Sequence, residues 1–487
     1  MLKRIRMVLA AVSFVAMLLL FADFTGAAHA WLGWLADVQL VPALMAGSVV
    51  ALVVVAVLTL LFGRVYCSVI CPLGILQDVI WSRHKPRQSY SAPLTWLRYV
   101  VLLLFILALV AGVGVVTATL DPYSTFGMMA SNLFAPIYRG ANNVLAWAAE
   151  RADSYAFYAT EVWVRSVVAL ALSVVFLIII GVLAWRGGRT YCNTICPVGT
   201  VLGILSRFAL LRVVIDADKC NKCGNCARHC KASCIDSQNH SVDYTRCVDC
   251  MDCLEVCHKR AISYKMAGWG STKGLKPIDP SRREALAIGG ALIATQSMAK
   301  MKKTTDGGLA YIADKKVPER NAPIVPAGAM SLGHMTAKCV QCQLCVSACP
   351  NGVLRPSTDL ATFMVPVMSY ERGYCRPECT RCADVCPADA IKPITVAEKS
   401  STQIGHAKWI KENCVALIDD VHCNACASHC PCGAIEMMPV NPDDPSSRHT
   451  PVVDESRCIG CGACEHLCPA RPFSALVVHG HEVHKKV

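Results

Sequence analysis

The chain has 487 residues, 30 cysteines, a hydrophobic fraction of 54% and only 17% charged residues. A composition this apolar excludes an ordinary soluble enzyme over the whole length and places part of the chain in lipid. The formal charge of +12 is uneven, with 33 basic against 19 acidic residues over 1–330 and 14 against 16 over 331–487. Many of the basic residues stand at the ends of apolar segments, which speaks for membrane topology and against nucleic acid. The cysteines fall in groups at spacings of two and three, which suits metals rather than a disulfide framework.

Four apolar segments are long enough to span a bilayer: 7–22, 40–62, 99–117 and 164–185. Lys3, Arg4 and Arg6 precede the first, and Arg64, Arg83, Lys85, Arg87 and Arg98 lie between the second and third. Arg186 and Arg189 follow the fourth, whereas the other two connections hold only Arg139 and Arg151. The positive-inside rule therefore puts both ends of this block (1–205) in the cytoplasm. Cleavage after Ala28-His29-Ala30, read as a signal peptide, would leave the other three spans oriented as before.

A repeat follows the second and fourth spans: Gly63-Arg-Val-Tyr-Cys67-Ser-Val-Ile-Cys71-Pro-Leu-Gly74 and Gly188-Arg-Thr-Tyr-Cys192-Asn-Thr-Ile-Cys196-Pro-Val-Gly199. The i, i+4 spacing puts two thiols on one side of a helical turn, and proline limits how that helix continues. Cys67, Cys71, Cys192 and Cys196 are candidate redox residues, either holding a metal cluster between the repeats or forming a quinone-side centre. The spans contain no histidine and the chain no C-x-x-C-H, which disfavours haem.

Residues 214–265 carry Cys220-x2-Cys223-x2-Cys226-x3-Cys230 and Cys247-x2-Cys250-x2-Cys253-x3-Cys257, the spacing of two-cluster bacterial ferredoxins. Three thiolates of each run wrap one 4Fe-4S cube and the fourth crosses over. One set is thus Cys220, Cys223, Cys226 and Cys257, and the other Cys247, Cys250, Cys253 and Cys230. Two zinc sites would need only paired C-x2-C hooks and leave the third cysteine of each run unused. Four spans, two C-x3-C-P motifs and this ferredoxin resemble NapH, a membrane quinol dehydrogenase subunit, and the wider NosR-type and MauN-type membrane ferredoxins. Lys231 and His258 stand where proline commonly follows the fourth cysteine.

Residues 266–330 read as a linker holding Ser281-Arg282-Arg283-Glu284-Ala285-Leu286 ahead of a weakly apolar run to 299. This resembles a twin-arginine export signal, although Ala285 and Ala287 depart from its usual residues. An ordinary amphipathic helix is the plainer alternative. Residues 331–475 then carry four further runs, each closed by Cys-Pro. Crossed pairing gives Cys339, Cys342 and Cys345 with Cys386; Cys375, Cys379 and Cys382 with Cys349; Cys414, Cys423 and Cys426 with Cys468; and Cys458, Cys461 and Cys464 with Cys430. The second and third runs have irregular first gaps, and Cys234 and Cys432 are left unassigned. This part resembles NapG and the MauM-type polyferredoxins, which are exported twin-arginine substrates.

The expected architecture is an α-helical membrane domain of four transmembrane helices followed by small α+β ferredoxin-like modules. The expected function is electron transfer from quinol through up to six cubes, whose iron the same cysteines hold, to a downstream reductase or cytochrome. Partners are membrane lipid and the quinone pool. The location is the bacterial inner membrane, with the first ferredoxin cytoplasmic and the C-terminal clusters periplasmic. A redox-sensing or maturation protein with all its clusters cytoplasmic is the alternative. No Ser-His-Asp, P-loop or G-x-G-x-x-G context favours a hydrolase or a nucleotide site.

Overall fold

The computed structural model describes residues 1–84, 86–266, 305–306, 310–311, 313–441, 443–444 and 447–486. The twin-arginine-like segment 281–299 lies outside them. Among the described residues, two helices are long and apolar enough to cross a membrane, Leu2–Ala22 and Val167–Gly187. At 1.5 Å per residue each is about 30 Å long. Four uninterrupted spans are not found. The second apolar segment divides into Leu40–Ala46 and Val49–Phe62 at Gly47, where φ is 73°. The third divides into Thr95–Val110 and Gly114–Leu120 around Gly112, at φ 70°. Glycine takes this left-handed conformation without a Cβ penalty, so an apolar run that hydropathy reads as one helix breaks in two.

The outward faces of these helices are apolar: Val12 and Val15, Val53 and Val57, Leu103 and Leu107, Ile179 and Val182 are all exposed. Their inner faces enclose Pro122–Met129, a helix whose eight residues are all buried. Asp121 caps its start, accepting from Ser124 N at 2.9 Å and Ser124 Oγ at 2.6 Å, and Pro122 supplies the preset first φ. Phe126 packs against Phe14 and Phe21 of the first helix, with ring centroids 5.7 and 6.1 Å apart.

The cysteine-rich parts are short helices and loops stitched by two-stranded ribbons. In the first, Leu211–Ile215 pairs antiparallel with Ile262–Met266. In the second, Leu354–Pro356 pairs with Pro366–Met368, Ile435–Pro439 with His449–Val453, and Thr402–Trp409 with Leu476–Lys486. The second part is larger than the 331–475 expected. Ile324 and Val325 are fully buried in its core, Met368 N donates to Ile324 O at 2.8 Å, and Arg320 pairs with Glu465 at 2.5 Å. Residues 313–330 are therefore a strap of this domain rather than linker, and its last strand runs to Lys486.

The two cysteine-rich parts sit at opposite ends of the helical block. Lys3, at the start of the first helix, meets Glu255 at 2.7 Å, while Phe24 O, just past its end, accepts from Arg381 Nη1 at 2.9 Å. The other long helix repeats this arrangement in reverse. Arg165 precedes it and donates to Val346 O, and Arg189 N follows it and donates to Lys231 O at 2.8 Å.

Candidate metal centres

Each regular cysteine run folds by the same local device. Residues on both sides of its second cysteine take left-handed φ: Lys222 and Gly224, Asp249 and Met251, Gln341 and Gln343, Gly460 and Gly462. Alternating hands turn successive backbone N–H groups inward, making a concavity suited to anionic clusters. All eight positions would favour glycine or asparagine on sterics alone, yet five carry bulkier side chains, so the surrounding fold holds them there. The runs at Cys379–Cys382 and Cys423–Cys426 lack the pair; Thr380 and Asn424 have φ of −107° and −128°.

The loops gather thiols from distant runs. One pocket is walled by Cys339, Cys342, Cys345 and Cys386 with apolar neighbours such as Val340, Leu344 and Ile391. Another holds Cys230, Cys247, Cys250 and Cys253, and Cys234 as a fifth thiol, 3.5 Å from Cys230. Cys382 lies among Cys375, Cys349 and Cys379, and Cys464 among Cys461, Cys458 and Cys430. Cys426 lies near Cys423 and Cys468, and Cys414 shares a buried group with Cys468. Cys226 lies near Cys220 and Cys223, with Cys257 in the same buried group. Cys432 sits 3.7 Å from Cys430.

This donor set fits an iron–sulfur cube. Burial pushes the Cys339 and Cys461 thiols up to about 12, so thiolates there need a cationic centre among them. Backbone N–H groups point at the sulfurs, from Gln341 to Cys339, Ala434 to Cys430, Ala475 to Cys468 and Ala261 to Cys257, each at 3.3 Å. Among the described residues no three His, Cys, Asp or Glu side chains converge as a single ion requires.

The C-x3-C-P cysteines form a separate nest. Cys67, Cys71, Cys192 and Cys196 are all buried in one core and lie within one another's electrostatic reach. The two repeats clasp each other. Arg64 Nη2 donates to Cys192 O at 3.3 Å and Nη1 to Asn193 Oδ1 at 2.8 Å, and Arg189 Nη1 donates to Cys67 O at 2.7 Å. Each guanidinium also reaches a nest sulfur, Cys67 at 3.8 Å and Cys192 at 3.9 Å, and Gln77 Nε2 donates to Cys192 at 3.2 Å. The terminal glycine of each motif makes room for the opposite arginine, since a Cβ at Gly199 would lie 2.7 Å from Arg64 Nη2. The motif tyrosines anchor the turns above, Tyr66 OH donating to Gln39 Oε1 at 2.8 Å and Tyr191 OH to Leu120 O at 3.2 Å.

Both arginines are completely buried. Arg189 has Asp78 at 2.8 Å, but among the described residues no carboxylate forms an ion pair with the Arg64 guanidinium. A buried cation without a counterion is costly, so an anionic centre held by the four thiolates is the group this nest fits. The sequence placed Arg64 and Arg189 among the topology charges. Their recurrence in register within the repeat was the signal that they belong to the motif.

Lys231 stood out in the sequence only as a residue in the place of proline. It is 4% exposed at its side chain and bridges Asp78 at 3.0 Å and Asp252 at 3.2 Å, tying the first ferredoxin to the nest. Burial alone would push Asp78 up; Arg189, Lys231 and Arg6 outweigh it and hold the carboxyl well below its usual range. Gly63 and Gly188, at φ 73° and 62°, let Asp249 and Lys231 approach the motif backbone. Arg64 N donates to Asp249 Oδ2 at 2.9 Å.

These contacts arrange the thiol groups in single file. Cys226 neighbours Cys253. Val248, the nest cysteines, Tyr66, Tyr191, Tyr123 and Cys342 share one continuous core. Cys345 neighbours Cys382, and Cys375 N donates to Cys461 O at 2.9 Å. A crevice between the broken helices and the second part, lined by Val41, Met45, Leu109, Gly112 and Thr336, has Cys339 in its wall.

A model described as a 4Fe-4S binding domain matches residues 44–89 and 168–214, each spanning one C-x3-C-P motif. A 4Fe-4S dicluster domain matches 338–390 and 421–471. The chain is 30% identical over 158 residues to the methylamine utilization ferredoxin-type protein MauM of Methylophilus methylotrophus, covering 31% of this chain and 69% of the relative. It is 30% identical over 199 residues to MauM of Methylorubrum extorquens, covering 40% and 86%. It is 29% identical over 149 residues to the ferredoxin-type protein NapF of Escherichia coli, covering 30% and 81%. No solved structure matches the chain.

Proposed function

The chain belongs to the ferredoxin-type 4Fe-4S proteins related to MauM and NapF, and from that premise we propose that it is a membrane-anchored conduit for single electrons. Bound 4Fe-4S cubes supply one-electron chemistry, with potentials tuned by burial and by hydrogen bonds to sulfur. The six crossed cysteine sets hold six cubes, and the nest of Cys67, Cys71, Cys192 and Cys196 holds a further centre. The observation that carries this reading is the single buried core that holds the four nest cysteines together with Cys342 of the second part and has Cys250 of the first packed against it.

The block is the NapH-like part. It lies in the bacterial inner membrane, the two broken segments completing four passages with the two long helices. The first ferredoxin faces the cytoplasm, where Lys3, Arg4 and Arg6 cluster. The C-terminal part takes the NapG-like role on the periplasmic side and passes electrons to a reductase or cytochrome. Quinol is the lipid-soluble donor, and the narrow crevice with Cys339 in its wall is where a cysteine set faces the apolar helices, so that a donor in the bilayer would meet it there.

The test uses the full chain, loaded anaerobically and inserted in vesicles that enclose a membrane-impermeant oxidant. Quinol in the bilayer is expected to reduce that oxidant, with about 24 iron atoms per chain from six cubes and about 28 with the nest filled. Fewer than about 16 iron atoms in a fully loaded sample, or mainly zinc, would overturn the assignment.

A further inference from the structure

Of the 30 cysteines, Cys223 alone is exposed. Of the two sets in the first ferredoxin it belongs to the one farther from the nest, since Cys250 of the other set packs against the core that holds the nest. The near end of the ribbon that carries this set is fixed to the block, with Leu210 N donating to Leu60 O at 2.8 Å and Tyr264 OH to Phe62 O at 2.9 Å. Its other end, where Ile215 pairs with Ile262, leads into the loops 216–223 and 257–261. These loops and the following helix carry exposed Lys219, Lys222 and Arg228 next to Cys223 in the chain, and exposed Lys259 and Arg260 just past Cys257. Arg228 Nη2 donates to Cys223 O at 2.7 Å, so one cation is fixed directly over the exposed cysteine. Asp216 offsets Lys219 at 3.1 Å, and Asp218 is the other acidic residue in these loops. The balance stays positive.

We propose that this edge is a docking surface for an acidic, water-soluble one-electron carrier protein, giving the conduit a second port besides its lipid-soluble donor. The inference rests on the reading of the cysteine sets as 4Fe-4S sites and goes beyond it. A basic rim around the outermost set would steer an acidic carrier and orient its redox edge on Cys223. Small, polar, short-lived interfaces are the norm for electron-transfer encounters, so no apolar patch is required. The port also gives the first ferredoxin work. A donor arriving at the Cys339 crevice would bypass both the nest and residues 211–266, whereas a carrier at Cys223 uses the whole file. In each encounter the carrier loses one electron to the centre held by Cys220, Cys223, Cys226 and Cys257, and no bond or proton changes hands. A basic edge could also meet anionic lipid, but Lys219, Lys222, Lys259 and Arg260 lie on the loops at the end of the ribbon opposite its attachment to Leu60 and Phe62. Of these cations, among the described residues, only Arg228 meets the block's own loop, its O accepting from Gln88 N at 3.0 Å.

The full, iron-loaded chain in nanodiscs of zwitterionic lipid is titrated with oxidised plant-type 2Fe-2S ferredoxin as the acidic probe. Saturable binding that weakens with salt is expected, and the triple variant Lys219→Glu, Lys259→Glu, Arg260→Glu should bind at least about tenfold more weakly. Oxidation of the reduced probe should slow by a similar factor, while iron content, cluster spectra and quinol-linked reduction stay unchanged. Equal binding by both chains, or none by either, overturns the port. Charge-dependent binding to phosphatidylserine vesicles without binding to the probe also overturns it, since the edge would then be a lipid contact. Lost iron in the unaltered chain would instead strike at the cluster assignment.

Discussion

The two ferredoxin-like parts share a loop device and differ in how they are fastened. Left-handed pairs flank the second cysteine at Lys222/Gly224 and Asp249/Met251 in one, and at Gln341/Gln343 and Gly460/Gly462 in the other. The first part is bolted to the helical block by buried charge: Lys231 between Asp78 and Asp252, and Asp249 on the backbone of Arg64. The second is held by neutral acceptors. Arg139 donates to Ser347 O at 2.9 Å, Arg381 to Phe24 O and Thr25 O, and Asn132 to Gln343 Oε1 at 3.0 Å. The difference follows from one position. Proline after the fourth cysteine carries neither charge nor N–H, whereas Lys231 in that place supplies a cation that only a buried carboxylate can answer. One docking is thus built to be fixed during folding. The other, made of neutral hydrogen bonds, would suit a part that arrives separately, as the proposed export of residues 331–487 requires.

The largest effect expected concerns that separation. Arg282→Lys with Arg283→Lys should retain residues 331–487 on the cytoplasmic side, protected from protease added to spheroplasts. If the unaltered chain is equally protected, both parts share one side and the comparison loses its basis. Next in size is the link between them. Cys67→Ser or Cys192→Ser should cut electron passage across the block by more than about 100-fold, beyond the usual cost of losing a group that only hydrogen-bonds to a ligand. Cluster spectra of both ferredoxin parts should survive. Normal passage in both variants would make the nest a packing feature.

Much of this was legible in the cysteines. Ligand runs are dictated by cluster geometry, so spacing alone grouped Cys339, Cys342 and Cys345 with the remote Cys386, and they line one pocket. The repeated Gly-Arg-x-Tyr-Cys motif was legible as a repeat, but not its clasp, because composition cannot tell a buried arginine from a topology charge. Hydropathy averages over a window, so it passed across Gly47 and Gly112. Pro318, Pro323 and Pro326 suit a flexible linker and a fixed strap equally, and only the buried Ile324 and Val325 beside them decide for the strap.

The charged fastening gives the third prediction. Lys231→Met removes the cation that Asp78 and Asp252 share, leaving Asp78 to Arg189 and Arg6 and Asp252 to Lys3. It should cost about 1.5–3 kcal/mol of docking stability, read as faster hydrogen exchange over residues 211–266. Both carboxyl groups are held below their usual range in the folded chain. Stability from a lowered carboxyl is complete above the unfolded value, near ~4, and fades only as pH falls through the folded one. The first part should therefore stay docked from neutral pH to about 5. Release within that window would mean that Lys231 is not the bolt.

The smallest effect tests the neutral fastening. Ser347 Oγ donates to Ser131 Oγ at 2.9 Å across the second interface, and both residues are buried. Ser347→Ala removes the donor but leaves Ser131 Oγ facing Gln343 O at 3.5 Å, a partner it can still use. The loss should therefore be about 1 kcal/mol, the net worth of one neutral hydrogen bond. It should show as a slight rise in exchange over Leu344–Ala348 with no change over residues 211–266. A cost as large as that of Lys231→Met would mean that the second part is fixed as firmly as the first. The contrast between a bolted and a docked ferredoxin would then fall, and with it the reason to expect two separately delivered halves.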